Sequence, residues 1–198
     1  MKTLKYVLIA LTLGLFSACS FTDETEEALF AVPEIKSLAE IRSGITIESA
    51  QPTNSDGKIY VTQNYLFYIA QESGIHIFNN TNPANPQNIA FINLPGVHDI
   101  AVKGNYLYAD NYIDLVVFDI SSISTITLVQ TVENAFEFYP TYPEEAEFYD
   151  FTQYPGENEL IVGYRIETRF RPSEDVIMTL EGALANFDGS SNYVGNGG

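Results

Sequence analysis

Two stretches of this chain are near copies of one another. Asn64 to Asn80 reads NYLFYIAQESGIHIFNN, and Asn105 to Ser121 reads NYLYADNYIDLVVFDIS. Tyr65-Leu66 recurs as Tyr106-Leu107 at an offset of 41, and Ile75-His76-Ile77-Phe78-Asn79 recurs as Leu115-Val116-Val117-Phe118-Asp119 at 40. The one-residue difference falls in the polar turn between the two runs, where a hairpin tip tolerates it. A repeated strand, turn and strand restricts the fold more than any other feature, because each copy buries its apolar face only by stacking on a neighbour.

From Lys58 onward, short runs of Tyr, Phe, Ile and Val are bounded by Asn, Asp, Gly and Pro, the pattern of an all-β domain. The expected strands are Ile59 to Gln63, Tyr65 to Ala70, Ile75 to Phe78, Gln87 to Ile92, Val97 to Lys103, Tyr106 to Ala109, Leu115 to Asp119 and Thr127 to Val132. Their connectors are short, so neighbours pair as antiparallel hairpins in a meander. Four strands at a period near 40 residues is the signature of a propeller blade. The expected fold is therefore all-β, a partial β-propeller of four-stranded antiparallel blades.

The segment Gly96-Val97-His98-Asp99-Ile100-Ala101-Val102-Lys103-Gly104-Asn105-Tyr106-Leu107-Tyr108, with Leu115-Val116-Val117-Phe118-Asp119-Ile120-Ser121, resembles the bacterial LVIVD repeat. That family's strand usually ends in Asp-Val-Ser before a Pro-containing turn. The first copy keeps the turn, in Asn79-Asn80-Thr81-Asn82-Pro83-Ala84-Asn85-Pro86, with Asn79 in place of Asp. The second keeps Asp119-Ile120-Ser121 and loses both prolines. The likeness covers Lys58 to Val132 and implies blades, while saying almost nothing about activity. It also implies a packing or hydrogen-bonding role for His98-Asp99 near the start of a blade.

Beyond Glu133 the repeat blurs into an aromatic and acidic insert, Phe136-Glu137-Phe138-Tyr139-Pro140-Thr141-Tyr142-Pro143 and its continuation to Phe151, too rich in proline for a central strand. Glu159 to Thr168 reads as strand again, the core of a degenerate third blade, and Asn186 to Gly198 is a glycine-rich loop. At about 40 to 45 residues per blade the mature chain holds just over three, fewer than the roughly four to eight of known rings. The expectation is a longer propeller of which this is the N-terminal part, or self-assembly with another copy to close the ring.

The chain opens MKTLKYVLIALTLGLFSAC. Two lysines, an apolar run too short for a comfortable membrane span and small residues before cysteine form a secretory leader. Cys19 is the only cysteine, so no intrachain disulfide exists. Phe16-Ser17-Ala18-Cys19 resembles the bacterial lipobox, which implies cleavage before Cys19 and its lipidation, with Phe16 where Leu is commoner. An ordinary leader leaving a chance free thiol is the alternative. Buried acyl chains contribute roughly 0.8 kcal/mol per methylene, so a multiply acylated Cys19 anchors a protein durably. Loss of Lys2 and Lys5 with the leader shifts the formal charge from −17 to −19. Such acidity repels phosphate backbones, which argues against nucleic acid as a partner.

Ser20 to Glu27 carries four acids and reads as a solvated tether. It also resembles the acidic export signal of surface lipoproteins in Bacteroidetes-type bacteria, which leaves a cell-surface and a periplasm-facing outer-membrane location both open. The organisation expected is a signal peptide at 1–18, tether and linker at 19–57, two blades at 58–132, and insert plus degenerate blade at 133–198. Within the linker, Ile35 to Ile47 fits either a short helix or a first strand.

No nucleophile elbow, phosphate loop or dinucleotide fingerprint occurs, and no cofactor is expected. His76 and His98, the only histidines, belong to no metal-spaced set, and no metal site is expected. Asp110 and Asp114 flank a hairpin turn whose oxygens suit calcium, although turn chemistry explains them more simply. Glu144, Glu145, Glu147 and Asp150 read as a solvated loop that a cation or basic partner could meet. A loop as aromatic as Phe136 to Tyr142 must fold onto the domain or meet a ligand, which makes Phe136, Phe138, Tyr139 and Tyr142 the candidate ligand contacts. The function expected is non-enzymatic recognition of a protein or glycan by a lipid-anchored envelope protein. The alternative is an extracellular propeller enzyme acting on polymers, with its site at a central channel.

Overall fold

The computed structural model describes residues 27–53, 56–150, 152 and 154–170. The leader, Cys19, most of the acidic tether and the glycine-rich stretch 186–198 lie outside the described residues. In chain order the elements are β1 (Glu27–Ser37), α1 (Leu38–Ser43), β2 (Thr46–Glu48), β3 (Gly57–Val61), β4 (Tyr65–Ala70), β5 (Gly74–Asn79), β6 (Gln87–Asn93), β7 (Ile100–Lys103), β8 (Tyr106–Asn111), β9 (Asp114–Asp119), β10 (Thr127–Val132), β11 (Phe148–Tyr149) and β12 (Glu159–Phe170). β3 to β6 pair as an antiparallel meander with β2 added outside β6, and β7 to β10 form a second four-stranded meander. The described residues are all-β apart from α1 and a 3-10 turn at Ile123–Thr125. The two meanders are consistent with a partial β-propeller.

Each copy closes its turns in the same way. Asn79 Oδ1 accepts from Thr81 N at 3.0 Å, and Asp119 Oδ1 accepts from Ser121 N at 2.8 Å. These are Asx turns, the physical reason a short polar side chain ends the strand in both copies. Asn80 N donates to Asn64 O and Ile120 N to Asn105 O, both at 2.8 Å. The residue missing from the second copy is in the hairpin tip: Ala70 pairs with Gly74 across three residues, whereas Asn111 pairs with Asp114 across two.

Register explains how the sheets stack. Side chains alternate faces along a strand, and in the first sheet Phe67 pairs with Ile77 and Ile69 with Ile75, all buried in the shared core. In the second sheet the residues in that core are Leu107 with Phe118 and Ala109 with Val116. At the repeat offsets, Leu107, Ala109, Val116 and Phe118 correspond to Leu66, Tyr68, His76 and Phe78, which lie on the opposite face of the first sheet. The front of one copy therefore packs on the back of the next, the head-to-tail stacking of repeat units. Full burial of a side chain such as Phe67 stabilises by roughly 1.5 to 3 kcal/mol.

The third sheet is built differently from a blade. Its order is β11-β1-β12, with β11 parallel to β1 and β12 antiparallel to β1 over eleven residue pairs. The expected strand at Glu159 to Thr168 is present, but its partner is the N-terminal β1, not a neighbouring hairpin. The linker expected between Ala28 and Asp56 is thus largely folded, and Ile35 to Ile47 is strand, helix and strand in succession. Ala28, Phe30 and Ala31 are buried against strands more than 100 residues away, so local composition did not reveal them. Pro33 sits in β1 past the two residues that β11 covers and next to a bulge at Glu34/Ile35, a setting that tolerates proline.

Helix α1 begins with a capping box. Ser37 Oγ accepts from Glu40 N at 3.2 Å while a Glu40 carboxylate oxygen accepts from Ser37 N at 3.0 Å. The Ser37 hydroxyl, donating to the Glu40 carboxylate at 2.6 Å, and then the Ser37 amide hold that carboxyl below its ordinary range.

Candidate functional site

The insert starts as a third copy of the repeat would. Gly96 N donates to Glu72 O at 3.0 Å where the first blade hands over to the second, and Phe136 N donates to Ile113 O at 2.9 Å at the matching place one repeat later. Phe136 to Tyr139 thus stand where Gly96 to Asp99 stood. Gly96 to Asp99 lead into β7, whereas Phe136 to Tyr139 lead through Pro140 and Pro143 towards the third sheet. The slot that β7 fills against the first sheet has its counterpart in an open groove of about 560 Å³ against the second. Tyr108, Asp110 and Leu115 line it, at the positions occupied one repeat earlier by Phe67, Ile69 and Ile75.

Asp110 organises one wall. Its carboxylate accepts from His98 N at 2.9 Å and Asp99 N at 2.8 Å, and faces His98 Nδ1 at 3.1 Å. Because the backbone of His98 and Asp99 is held by this side chain, β7 begins at Ile100 and not at Val97 as the apolar pattern suggested. The Asp99 carboxylate turns back to accept from Ile100 N at 2.9 Å. The His98 side chain is half exposed.

Aromatic rings form the other wall. Tyr112 adopts φ 55°, an uncommon backbone for a bulky residue, at the hairpin tip between β8 and β9. Its ring lies over Gly96, itself at φ 73°, where an added Cβ would come within 2.6 Å of the ring. Phe138 meets Tyr112 edge to face at 5.8 Å. Burial, and then Glu72, raises the Tyr112 hydroxyl above its ordinary pKa. Tyr139 is 76% exposed and donates its hydroxyl to Glu137 at 2.6 Å, a bond that likewise raises its pKa.

Of the four aromatic residues singled out in the sequence, Phe136, Phe138 and Tyr139 line this groove, and Tyr142 does not. Tyr142 packs edge to face on Tyr149 at 5.5 Å and against Tyr164 at 5.6 Å, in the core of the third sheet. Burial raises the pKa of all three tyrosines, most strongly Tyr164. The insert acids divide as well. Asp150 is held by Arg169, and Glu147 accepts from Leu29 N at 3.2 Å.

Asp110 and Asp114, weighed in the sequence as calcium ligands, are drawn apart. Asp114 is 1% exposed and accepts from Arg42 Nε at 2.7 Å, Arg42 Nη2 at 3.1 Å and Asn134 N at 2.9 Å. Glu133 adds a second carboxylate to Arg42 at 3.0 Å. Among the described residues no group of three or more His, Cys, Asp or Glu side chains is placed to hold a metal ion. His76 is buried between Tyr68 and Phe91, with ring centroids 5.9 and 4.6 Å away. No helix of the described residues is long and apolar enough to cross a membrane.

Sequence reasoning missed Arg42 and the organising role of Asp110. The spacing Ser37-Leu38-Ala39-Glu40 is a local signal that could have placed α1, but nothing local tied Arg42 to a carboxylate 72 positions away. The substitution of Asp110 for Ile69 at matched repeat positions was a readable sign that this face differs from its predecessor. No curated protein and no solved structure matches the chain. Residues 96–134, which span the loop before β7, the whole second sheet and the first residues after it, match the model of the LVIVD repeat.

Proposed function

We propose that this chain is a lipid-anchored protein of the bacterial cell envelope, held at an outer-membrane or cell-surface location by Cys19, whose propeller-type scaffold recognises a protein or glycan without catalysis. The observation that carries the recognition role is the groove formed where the insert diverges from the repeat, lined by Phe136, Phe138 and Tyr139 on a face that the preceding copy devotes to packing. Loops on a rigid sheet scaffold are where binding residues concentrate. Ile59 and Val61, 62% and 58% exposed on the back of the first sheet, offer a surface on which another blade would stack, from a longer chain or a second copy.

Two measurements test this reading. Mass spectrometry of the N-terminal peptide from the native membrane fraction should find diacyl or triacyl Cys19, and an unmodified terminus would remove the anchor. A panel of peptides and oligosaccharides should yield a ligand whose binding is lost in the Phe138→Ala/Tyr139→Ala variant; binding indifferent to that change would remove the groove.

A second reading, an extracellular enzyme acting on polymers, draws on the half-exposed His98 imidazole hydrogen-bonded to Asp110 within the groove. Turnover of a polysaccharide or peptide polymer that disappears in His98→Asn would favour it.

A further inference from the structure

The chemistry of the groove restricts its ligand. Its charged lining consists of Asp99, Asp110 and Glu137 with no lysine or arginine, in a chain of net charge −17. Several of its protein donors are consumed: the amides of His98 and Asp99 serve Asp110, that of Ile100 serves Asp99, and the Tyr139 hydroxyl serves Glu137. Beside the Tyr108 and Tyr112 hydroxyls and the His98 ring, the lining offers carboxylate acceptors and aromatic faces. A sugar needs donors as well as acceptors around its hydroxyls, whereas ammonium and guanidinium groups bring only donors and carry the complementary charge. Cations also gain from the faces of aromatic rings within about 6 Å.

The groove is open along one side, while small-molecule sites usually bury most of their ligand. A side chain projecting from a larger body satisfies both conditions, because the partner's own surface closes the opening. We propose that the groove takes the lysine or arginine side chain of a basic peptide segment in a protein partner. This rests on the recognition role proposed above and names its ligand class. Phe138 and Tyr139 supply the aromatic faces, and Glu137 and Asp99 supply the acceptors.

The test is calorimetric titration of the purified chain, at low ionic strength, with a short Gly/Lys peptide. Its fully Nε-acetylated lysine counterpart and a neutral oligosaccharide serve as separate probes. The charged peptide should bind, and acetylation should weaken it by about tenfold or more, since it removes the charge and the cation–π contact. Phe138→Ala/Tyr139→Ala should weaken the charged peptide by a similar factor, and Glu137→Gln by about threefold or more. Glu48→Gln, which removes the same charge from the exposed strand β2, should change affinity by less than about twofold.

Equal losses in Glu137→Gln and Glu48→Gln, or binding blind to the aromatic pair, would reduce the interaction to bulk charge and overturn the proposal. Binding of the oligosaccharide, lost in the aromatic variant, with none of the peptide would overturn the ligand class and leave the recognition role standing. Binding of neither probe would count against both. Tyr139 is 76% exposed and Phe138 packs on Tyr112, so circular dichroism of each variant checks that the loss of binding is not a loss of fold.

Discussion

The clamp between Arg42 and Asp114 makes a prediction with an internal control. Arg42 lies on α1, Asp114 opens β9, and Asn134 and Glu133 belong to the segment just after β10, so one ion pair joins three parts of the chain. The two partners are unequal: Asp114 is 1% exposed and Arg42 26%. Arg42→Ala leaves a buried carboxylate with a single amide donor, and stranding a buried charge costs about 3 kcal/mol or more. Asp114→Asn leaves a guanidinium that reaches water and still has Glu133 at 3.0 Å, so its cost should be closer to 1 kcal/mol. With a urea m-value of about 2 kcal/mol/M, the midpoints should fall by about 1.5 M and 0.5 M respectively.

Urea unfolding followed by circular dichroism, with tyrosine fluorescence because the chain has no tryptophan, measures both midpoints. Equal midpoint losses in the two variants would refute this account. Replacing both residues by Met and Leu should recover most of the loss, as expected when a buried pair gives way to apolar packing.

Three further outcomes follow from the same geometry. Phe67→Ala empties the core between the sheets and should cost about 3 to 5 kcal/mol, whereas Tyr108→Ala at the matched position beside the open groove should cost less than about half of that by urea titration. Burial holds His76 below its ordinary pKa of 6.5, outweighing a backbone hydrogen bond at Gln51, so its contribution is complete above pH 6.5 and falls as pH drops through the folded value. Melting temperatures between pH 7.5 and 5 should decline in the parent and decline less in His76→Phe; the depressed carboxyls of Asp150 and Glu167 change protonation only below about pH 4.5. Gly96→Ala combines a left-handed backbone with a Cβ 2.6 Å from the Tyr112 ring, and should cost about 1 to 3 kcal/mol and weaken groove binding.

The blades were legible before any coordinates. Tyr65 to Ala70 and Thr127 to Val132 are strands with the bounds read from their alternation, and the shift from an offset of 41 to 40 is the shorter hairpin tip. Phe136, Phe138 and Tyr139 stood out because an aromatic run beside prolines neither continues a strand nor stays comfortably in water. Tyr142 carried the same signal and went elsewhere, because Tyr149 and Tyr164 offered it a core that no neighbouring residue announced.

Period, turn chemistry and the break in the repeat are local properties, written within a few residues of where they act, and the sequence by itself determined them. Tertiary structure alone decided that β1 pairs with β12, that Asp114 is held by Arg42 and that Asp110 holds the start of β7. The physical reason is separation along the chain: an unpaired β1 or a lone Arg42 has no preference of its own, and each acquires one only when distant segments are brought within hydrogen-bonding distance and water is removed from between them.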